Sequence, residues 1–376
     1  MKMTRISNLQ IYCMLLLATA PLAYLLTPAV VGHLVGNSAW LAILGAIIPG
    51  TLLIYVYSYI LKKSTRPFPA MLEDCLGKVI GKILGFSYIL VFLLGTAVTL
   101  RFFTSFIGSH IVPDTPLSVY IGFMLLTGYY AIRTGLENMA RISEVVIIFG
   151  TPVAFLILLI SLAQQPDIHN LRPLLYTSYL KFSWAVYEGF FIFSNIIAVL
   201  TLAYFSIERE KVPRTLFKVL ITYIGLLTLA AIVVIIQLGT EYANLSAHPT
   251  FKIIRSITVG DFIQNIDAAF IALWIIGVFG AVIVKWFMAC YVAQQVFALK
   301  DYRFVAAPTS LIIGFLTLKM GAGIIELQII ITSIIPLIYG IFYISIPLLV
   351  FFILLFKPNP DAGVETGLKA PPLKTS

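Results

Sequence analysis

Ten apolar stretches, each close to the roughly 20 residues a helix needs to cross a bilayer, partition this chain. They run over 9–31, 38–61, 83–109, 117–134, 143–163, 182–206, 216–238, 264–298, 304–319 and 332–356. The eighth is too long for one perpendicular crossing, so it tilts or projects beyond the membrane. The ninth is short and suits the inside of a bundle better than a lipid-facing position. Charged residues make up 11% of the 376 and apolar residues 60%, whereas a soluble domain carries about 25% charged residues. The chain is therefore read as an all-α polytopic membrane protein with ten transmembrane helices over 1–356.

The basic residues orient it. With a cytoplasmic N-terminus, 18 lysines and arginines fall in inside segments and 5 in outside ones, with Arg101 and Lys285 inside spans. That asymmetry places both termini in the cytoplasm. It also accounts for the net charge of +9 through anionic lipid headgroups rather than nucleic acid. The first stretch follows Lys2 and Arg5 and contains Ala18-Thr19-Ala20, like a signal peptide. Pro21 directly after that triplet argues against cleavage there. His33, His110, His169 and His248 all fall on the outer side, without the spacing of a metal site. Cys13, Cys75 and Cys290 imply no disulfide framework. Residues 357–376, rich in Pro, Gly and Lys, read as a disordered cytoplasmic tail.

Ten spans divide as five plus five, with approximate repeats 9–163 and 182–356. Transporter folds built from inverted repeats break the first helix of each half at the midplane, around the substrate. Span one reads "LLATAPLAYLLTPAV", with Pro21 and Pro28 in mid-span, and span six reads "WAVYEGFFIFSNIIAV". Both are expected to be broken helices, with simple proline kinks as the alternative for span one. A broken helix exposes N–H groups that suit a carboxylate and carbonyls that suit an ammonium. Amino acids fit such a site, and sugars could use the same groups. Thr19, Tyr24 and Thr27 on span one, and Glu188, Gly189, Phe190, Phe193, Ser194 and Asn195 on span six, are the candidate ligand-binding residues.

Ionisable groups inside the membrane are costly, at about 2.5–3.5 kcal/mol each on insertion scales. Arg101 lies near the outer end of span three, as a snorkelling cation or a functional one. Lys285 lies deep in span eight, where it either replaces a sodium ion as a fixed cation or neutralises Glu188. Asp267 reads as interfacial. A Walker loop, an HExxH zinc motif and a nucleophile elbow are all missing from the sequence, and the four histidines lie outside the spans. No enzyme activity, cofactor or metal is expected.

Several segments together resemble a known family. They are "ISNLQ" (6–10), "LRFFTSFI" (100–107) with "VPDTP" (112–116), "YAIRTGLENMARISE" (130–144), "NLRP" (170–173) and "IQNIDAAFIALWIIGVFGAVIVKWF" (263–287). The chain resembles the spore germination proteins of endospore-forming bacteria, the GerAB-like B subunits of germinant receptors. These belong to the amino acid–polyamine–organocation transporter superfamily. The resemblance implies a transporter-like subunit in the spore inner membrane that binds a small nutrient. Its partners would be an A subunit, a membrane protein with a soluble domain, and a C subunit, a lipoprotein. Arg133, Gly135, Glu137 and Arg141 would then form a structural or partner-contacting loop, the alternative being a plain solvated loop; Glu137 and Arg141, four apart, can pair on one helix face. Span one lacks the glycines usual at the break, Ser194-Asn195 lacks the acidic residue expected in span six, and Gln264-Asn265-Ile266 lacks the one expected before Asp267. The loss of titratable groups weakens proton-coupled transport more than binding. A free-standing amino acid transporter of the same fold is the alternative function.

Overall fold

The computed structural model describes residues 5–164, 166–172, 175, 177–244, 248–257, 266–321 and 324–356. The tail at 357–376 lies outside the described residues. The described chain is almost entirely helical. In order, the α-helices are α1 (Asn8–Val35), α2 (Ala39–Gly45), α3 (Ile47–Lys63), α4 (Phe68–Leu76), α5 (Lys78–His110), α6 (Leu117–Thr134), α7 (Leu136–Leu162) and α8 (Tyr179–Phe191). They continue with α9 (Val199–Leu202), α10 (Val212–Asn244), α11 (Pro249–Arg255), α12 (Ile266–Val296), α13 (Arg303–Lys319), α14 (Ile324–Ile329), α15 (Ile335–Tyr339) and α16 (Ile346–Phe356).

Among the described residues, seven helical runs are long and apolar enough to cross a membrane: Asn8–Lys63, Lys78–His110, Leu136–Leu162, Tyr179–Phe205, Arg209–Gly239, Asp267–Val296 and Ile330–Phe356. The protein is an integral membrane protein. Side chains that would be anomalous on a soluble surface cover its flanks, among them Phe123 on α6, Phe149 on α7 and Leu311 on α13. Lipid solvates such faces as well as a core does, so apolarity does not separate inside from outside.

α1 starts on a capping box in which Ser7 Oγ accepts from Gln10 N–H at 3.1 Å and Gln10 Oε1 accepts from Ser7 N–H at 3.0 Å. It then runs unbroken through Pro21 and Pro28, which corrects the expectation of a broken first helix. A proline's fixed φ is compatible with a helix; what it lacks is the N–H that would reach the carbonyl four residues back. Tight packing by α12 supports the affected turn. A Cβ on Gly277 would lie 3.3 Å from Pro21 Cγ, and one on Gly280 only 2.6 Å from Leu17 Cδ1. Trp274 Nε1 of α12 donates to the Pro21 carbonyl at 2.7 Å.

The sixth apolar stretch is interrupted, as its sequence implies, though by tightening and not by unwinding. α8 passes into a 3-10 segment, Phe193–Ala198, then into α9 and a second 3-10 turn, Ala203–Phe205. A β-bridge, Ile6 to Ser206, fastens the segment before α1 to the end of this run. Before α16 the chain passes through two π segments, Ile330–Ile334 and Gly340–Ser345, the kind of bulge that locally misaligns a helix.

Candidate functional site

α1, α8 and α10 meet where α8 gives way to the 3-10 segment. Phe193 is fully buried there, its ring centroid 5.4 Å from that of Tyr223 on α10 and 6.4 Å from that of Phe190. The Tyr223 hydroxyl donates to the Gly189 carbonyl over a long 3.4 Å. Gly189 itself permits α8 to approach α2, since a Cβ would sit 3.4 Å from Ile43 Cα. The polar side chains divide into two groups. Thr19 donates to the carbonyls of Leu15 and Leu16 at 3.0 and 3.1 Å, Ser194 donates to Phe191 O, and Asn195 Nδ2 donates to Ile192 O at 2.7 Å. These three occupy their donors on local carbonyls, in the last two cases those where α-helical bonding ends.

Glu188 and Thr27 are different. Glu188 is 2% exposed and its Oε2 has no hydrogen-bond partner among the described residues. Thr27 is equally buried; its hydroxyl neighbours that of Tyr223 without a well-formed hydrogen bond. A buried polar group left unmatched costs about 1–3 kcal/mol, and more if charged, so both atoms await an acceptor or donor.

The two intramembrane cations make their own contacts. Lys285 is 4% exposed and donates to Thr99 Oγ1 on α5 at 2.9 Å, beside Gly95 and Tyr339. No ion pair joins it to Glu188 among the described residues, which removes the neutralising role considered for it. Arg101 is buried, not snorkelling. Its Nη2 donates to Gly321 O at 2.7 Å, just past the end of α13, where a cation suits the helix dipole.

The Arg133–Arg141 loop is a corner between α6 and α7. Gly135 has φ +101, a left-handed conformation that favours glycine, and a Cβ there would meet Arg303 Nη2 at 2.9 Å. Arg133 lies over the Tyr129 ring, and Arg141 pairs with Glu137 at 2.7 Å in the open. Gln10 Nε2 reaches Glu144 of α7 at 3.2 Å.

A pocket missed by sequence reasoning lies between α1, α7 and α12. It holds about 70 Å³, and its walls include Leu17, Pro21, Tyr24, Gly150, Phe270 and Trp274. Of the candidate residues, only Tyr24 reaches it. Trp274 continues outward into an aromatic column. Its ring lies 4.5 Å from Phe106, which stacks on His110 at 4.8 Å and meets His248 at 5.2 Å. His248, in the connector before α11, has its pKa pushed down to about 4 by burial, with the neighbouring His110 adding to the effect. The sequence held no signal for this convergence, because three distant helices contribute to it.

A family model described as spore germination protein matches residues 5–322. Spore germination protein KB of Bacillus subtilis (strain 168) is 25% identical over 364 residues, spanning 95% of this chain and 96% of the relative. Among solved structures, MhsT in complex with L-phenylalanine superposes with a TM-score of 0.71 at 13% identity, covering 95% of this chain and 97% of that one. A Na+-coupled sialic acid symporter gives 0.66 at 12% identity, covering 94% of this chain and 79% of its own.

Proposed function

The chain belongs to the spore germination protein family, and from that premise we propose that it is the nutrient-binding membrane subunit of a spore germinant receptor. In this reading it works in the spore inner membrane with an A subunit and a lipoprotein C subunit, both its termini in the cytoplasm. As a germination permease-like membrane protein it is not an enzyme.

Ten crossings are the finer form of the fold. Asn8–Lys63 spans 56 residues, about 84 Å as a straight helix, and bends at Gly36 (φ +55) into two crossings. α6 and α13, 18 and 17 residues long, supply two more to the seven long runs. The two halves then form five-helix repeats, 9–163 and 182–356, an arrangement supported by the likeness to transporter structures.

The observation that carries the binding role is Glu188 Oε2, buried and unmatched beside the 3-10 segment of the sixth run. In this reading an ammonium or hydroxyl of a small nutrient completes it, and Thr19, Tyr24, Thr27, Gly189, Phe190, Phe193, Ser194 and Asn195 are the further candidate binding residues. The two fold neighbours are described with phenylalanine and with sialic acid, so the fold is compatible with either an amino acid or a sugar.

Isolation of the tagged chain in mild detergent from dormant-spore inner membrane tests the reading. Recovery of a larger membrane subunit and a lipoprotein in fixed ratio is expected, and recovery of the chain alone from growing cells would replace it by a free-standing amino acid transporter. Spores carrying Glu188→Gln should need about tenfold or more nutrient for half-maximal germination, the scale of a lost charge-assisted hydrogen bond. An unchanged dose response would remove Glu188 from the site.

A further inference from the structure

The polar cluster at α1, α8 and α10 leaves the pocket between α1, α7 and α12 without a role. We propose that this pocket is a hydrocarbon subsite that accepts a short branched aliphatic group. The source is either the side chain of the nutrient, in which case the inference rests on the receptor reading above, or the end of a lipid acyl chain. Size, lining and rigidity all bear on it.

Size comes first. An engineered apolar cavity of about 150 Å³ admits a benzene ring. The 70 Å³ here is about half that, room for roughly three or four carbons on the same scale. An isopropyl or isobutyl group fits; an indole or a pyranose ring is too large.

The lining excludes polar occupants. Leu16, Leu17, Ala20, Pro21, Phe270 and Trp274 face the space, and the Trp274 N–H is already committed to the Pro21 carbonyl. A water needs two to four polar partners to be held. The side-chain hydroxyls among the lining residues are those of Tyr24 and Thr151, too few for a sugar, whose unmatched hydroxyls would each lose their hydrogen bonds to water.

Rigidity follows from the same contacts that keep α1 straight. Pro21 is seated against Gly277 and tied to Trp274, so the wall between α1 and α12 is formed before anything binds. The opposite wall, α7, contributes Gly150, where an added Cβ would meet nothing within 4 Å. The pocket also adjoins the polar cluster through Tyr24, which lines it three residues before Thr27. One ligand with a polar head and a branched tail can therefore use both.

Gly150→Leu tests this without disturbing the polar residues, because Gly150 lines the pocket and a Cβ there meets nothing within 4 Å. The full-length chain is purified with whatever subunits accompany it, and binding of L-leucine, L-valine, glycine and glucose is measured by calorimetry. Native mass spectrometry of the same samples records retained lipid. For a nutrient side chain, leucine binds at least about tenfold tighter than glycine, a discrimination within reach of an apolar pocket. Gly150→Leu then abolishes that advantage and leaves glycine binding unchanged. For a lipid tail, a lipid is retained by the parent chain and absent from Gly150→Leu, with no preference for leucine. Binding of leucine to Gly150→Leu as to the parent, with lipid retention also unchanged, would overturn the subsite. A polar ligand whose binding is lost in Glu188→Gln but untouched by Gly150→Leu would preserve the receptor reading while removing this one. Retained lipid with no nutrient binding would do the reverse.

Discussion

Lys285 shows how far a single residue in the bilayer can be interpreted. Its ammonium has three donors, one of which is met by Thr99 Oγ1 at 2.9 Å, and no carboxylate pairs with it among the described residues. A side chain retained against a penalty of about 2.5–3.5 kcal/mol with so little local return is expected to be costly to the fold. Lys285→Met, similar in volume and uncharged, should therefore raise the melting temperature of the purified chain. A fall would mean that the lysine is held by a partner outside the described residues. Thr99→Val should lower it, through a loss of about 1–3 kcal/mol of stability, since it strips from a buried cation the hydrogen bond it makes among the described residues. Glu188 was legible as an intramembrane charge from its neighbours in "WAVYEGFF". That its Oε2 would be unmatched was not, because the groups it fails to reach belong to other helices. Thr19 illustrates the converse. It looked available in the sequence, yet its hydroxyl is absorbed by its own helix, a local competition that threonine often enters.

Between elements, small residues set the distances. A Cβ on Gly81 of α5 would fall 2.5 Å from the Glu73 Cα on α4, backbone that cannot turn aside. Gly81→Ala should thus separate α4 from α5 and destabilise the chain by about 1–3 kcal/mol, read as a lower melting temperature. Gly225→Ala on α10, where nothing lies within 4 Å, is the control and should leave it unchanged. The outer aromatic column makes a pH prediction. His248 ordinarily titrates near 6.5 and is pushed down to about 4 when folded. The unfolded chain then binds more protons below pH 6.5, so the stabilisation is complete above that value and is lost as pH falls towards 4. Melting temperature measured from pH 7.5 to 4 should decline through this window, and His248→Phe should flatten the decline. An equal slope in both proteins would show that other groups govern it.

For the molecule as a whole the open quantity is the number of crossings. Cys13, Cys75 and Cys290 are buried, which leaves a low background for introduced thiols. With ten crossings, Asp114 lies outside and Glu137 inside, separated by α6 (Leu117–Thr134). Asp114→Cys should react with an impermeant maleimide in intact protoplasts, and Glu137→Cys only after permeabilisation. Labelling of both from one side would mean that α6 does not cross. The same scale explains why α6 and α13 expose large apolar side chains such as Phe123, Leu311 and Phe315: lipid, not a protein core, is their solvent, which corrects the expectation that the short ninth stretch lies inside the bundle.

Membrane residence, the approximate helix limits and the family could all be read from the chain, because they depend on local apolarity and on contiguous text such as "RTGLENMAR". The interruption in the sixth run was legible for the same reason, since Glu188-Gly189 and Ser194-Asn195 break an apolar stretch in sequence as in space. The continuity of α1 was not. Whether Pro21 breaks a helix depends on what neighbouring helices offer the turn it weakens, and here Gly277, Gly280 and Trp274 of α12 lie some 250 residues further along the chain. The α1–α7–α12 pocket likewise exists only once three helices have packed. Packing between distant segments has no signature in local hydrophobic pattern, so the tertiary structure alone decided which polar groups are satisfied and where space remains.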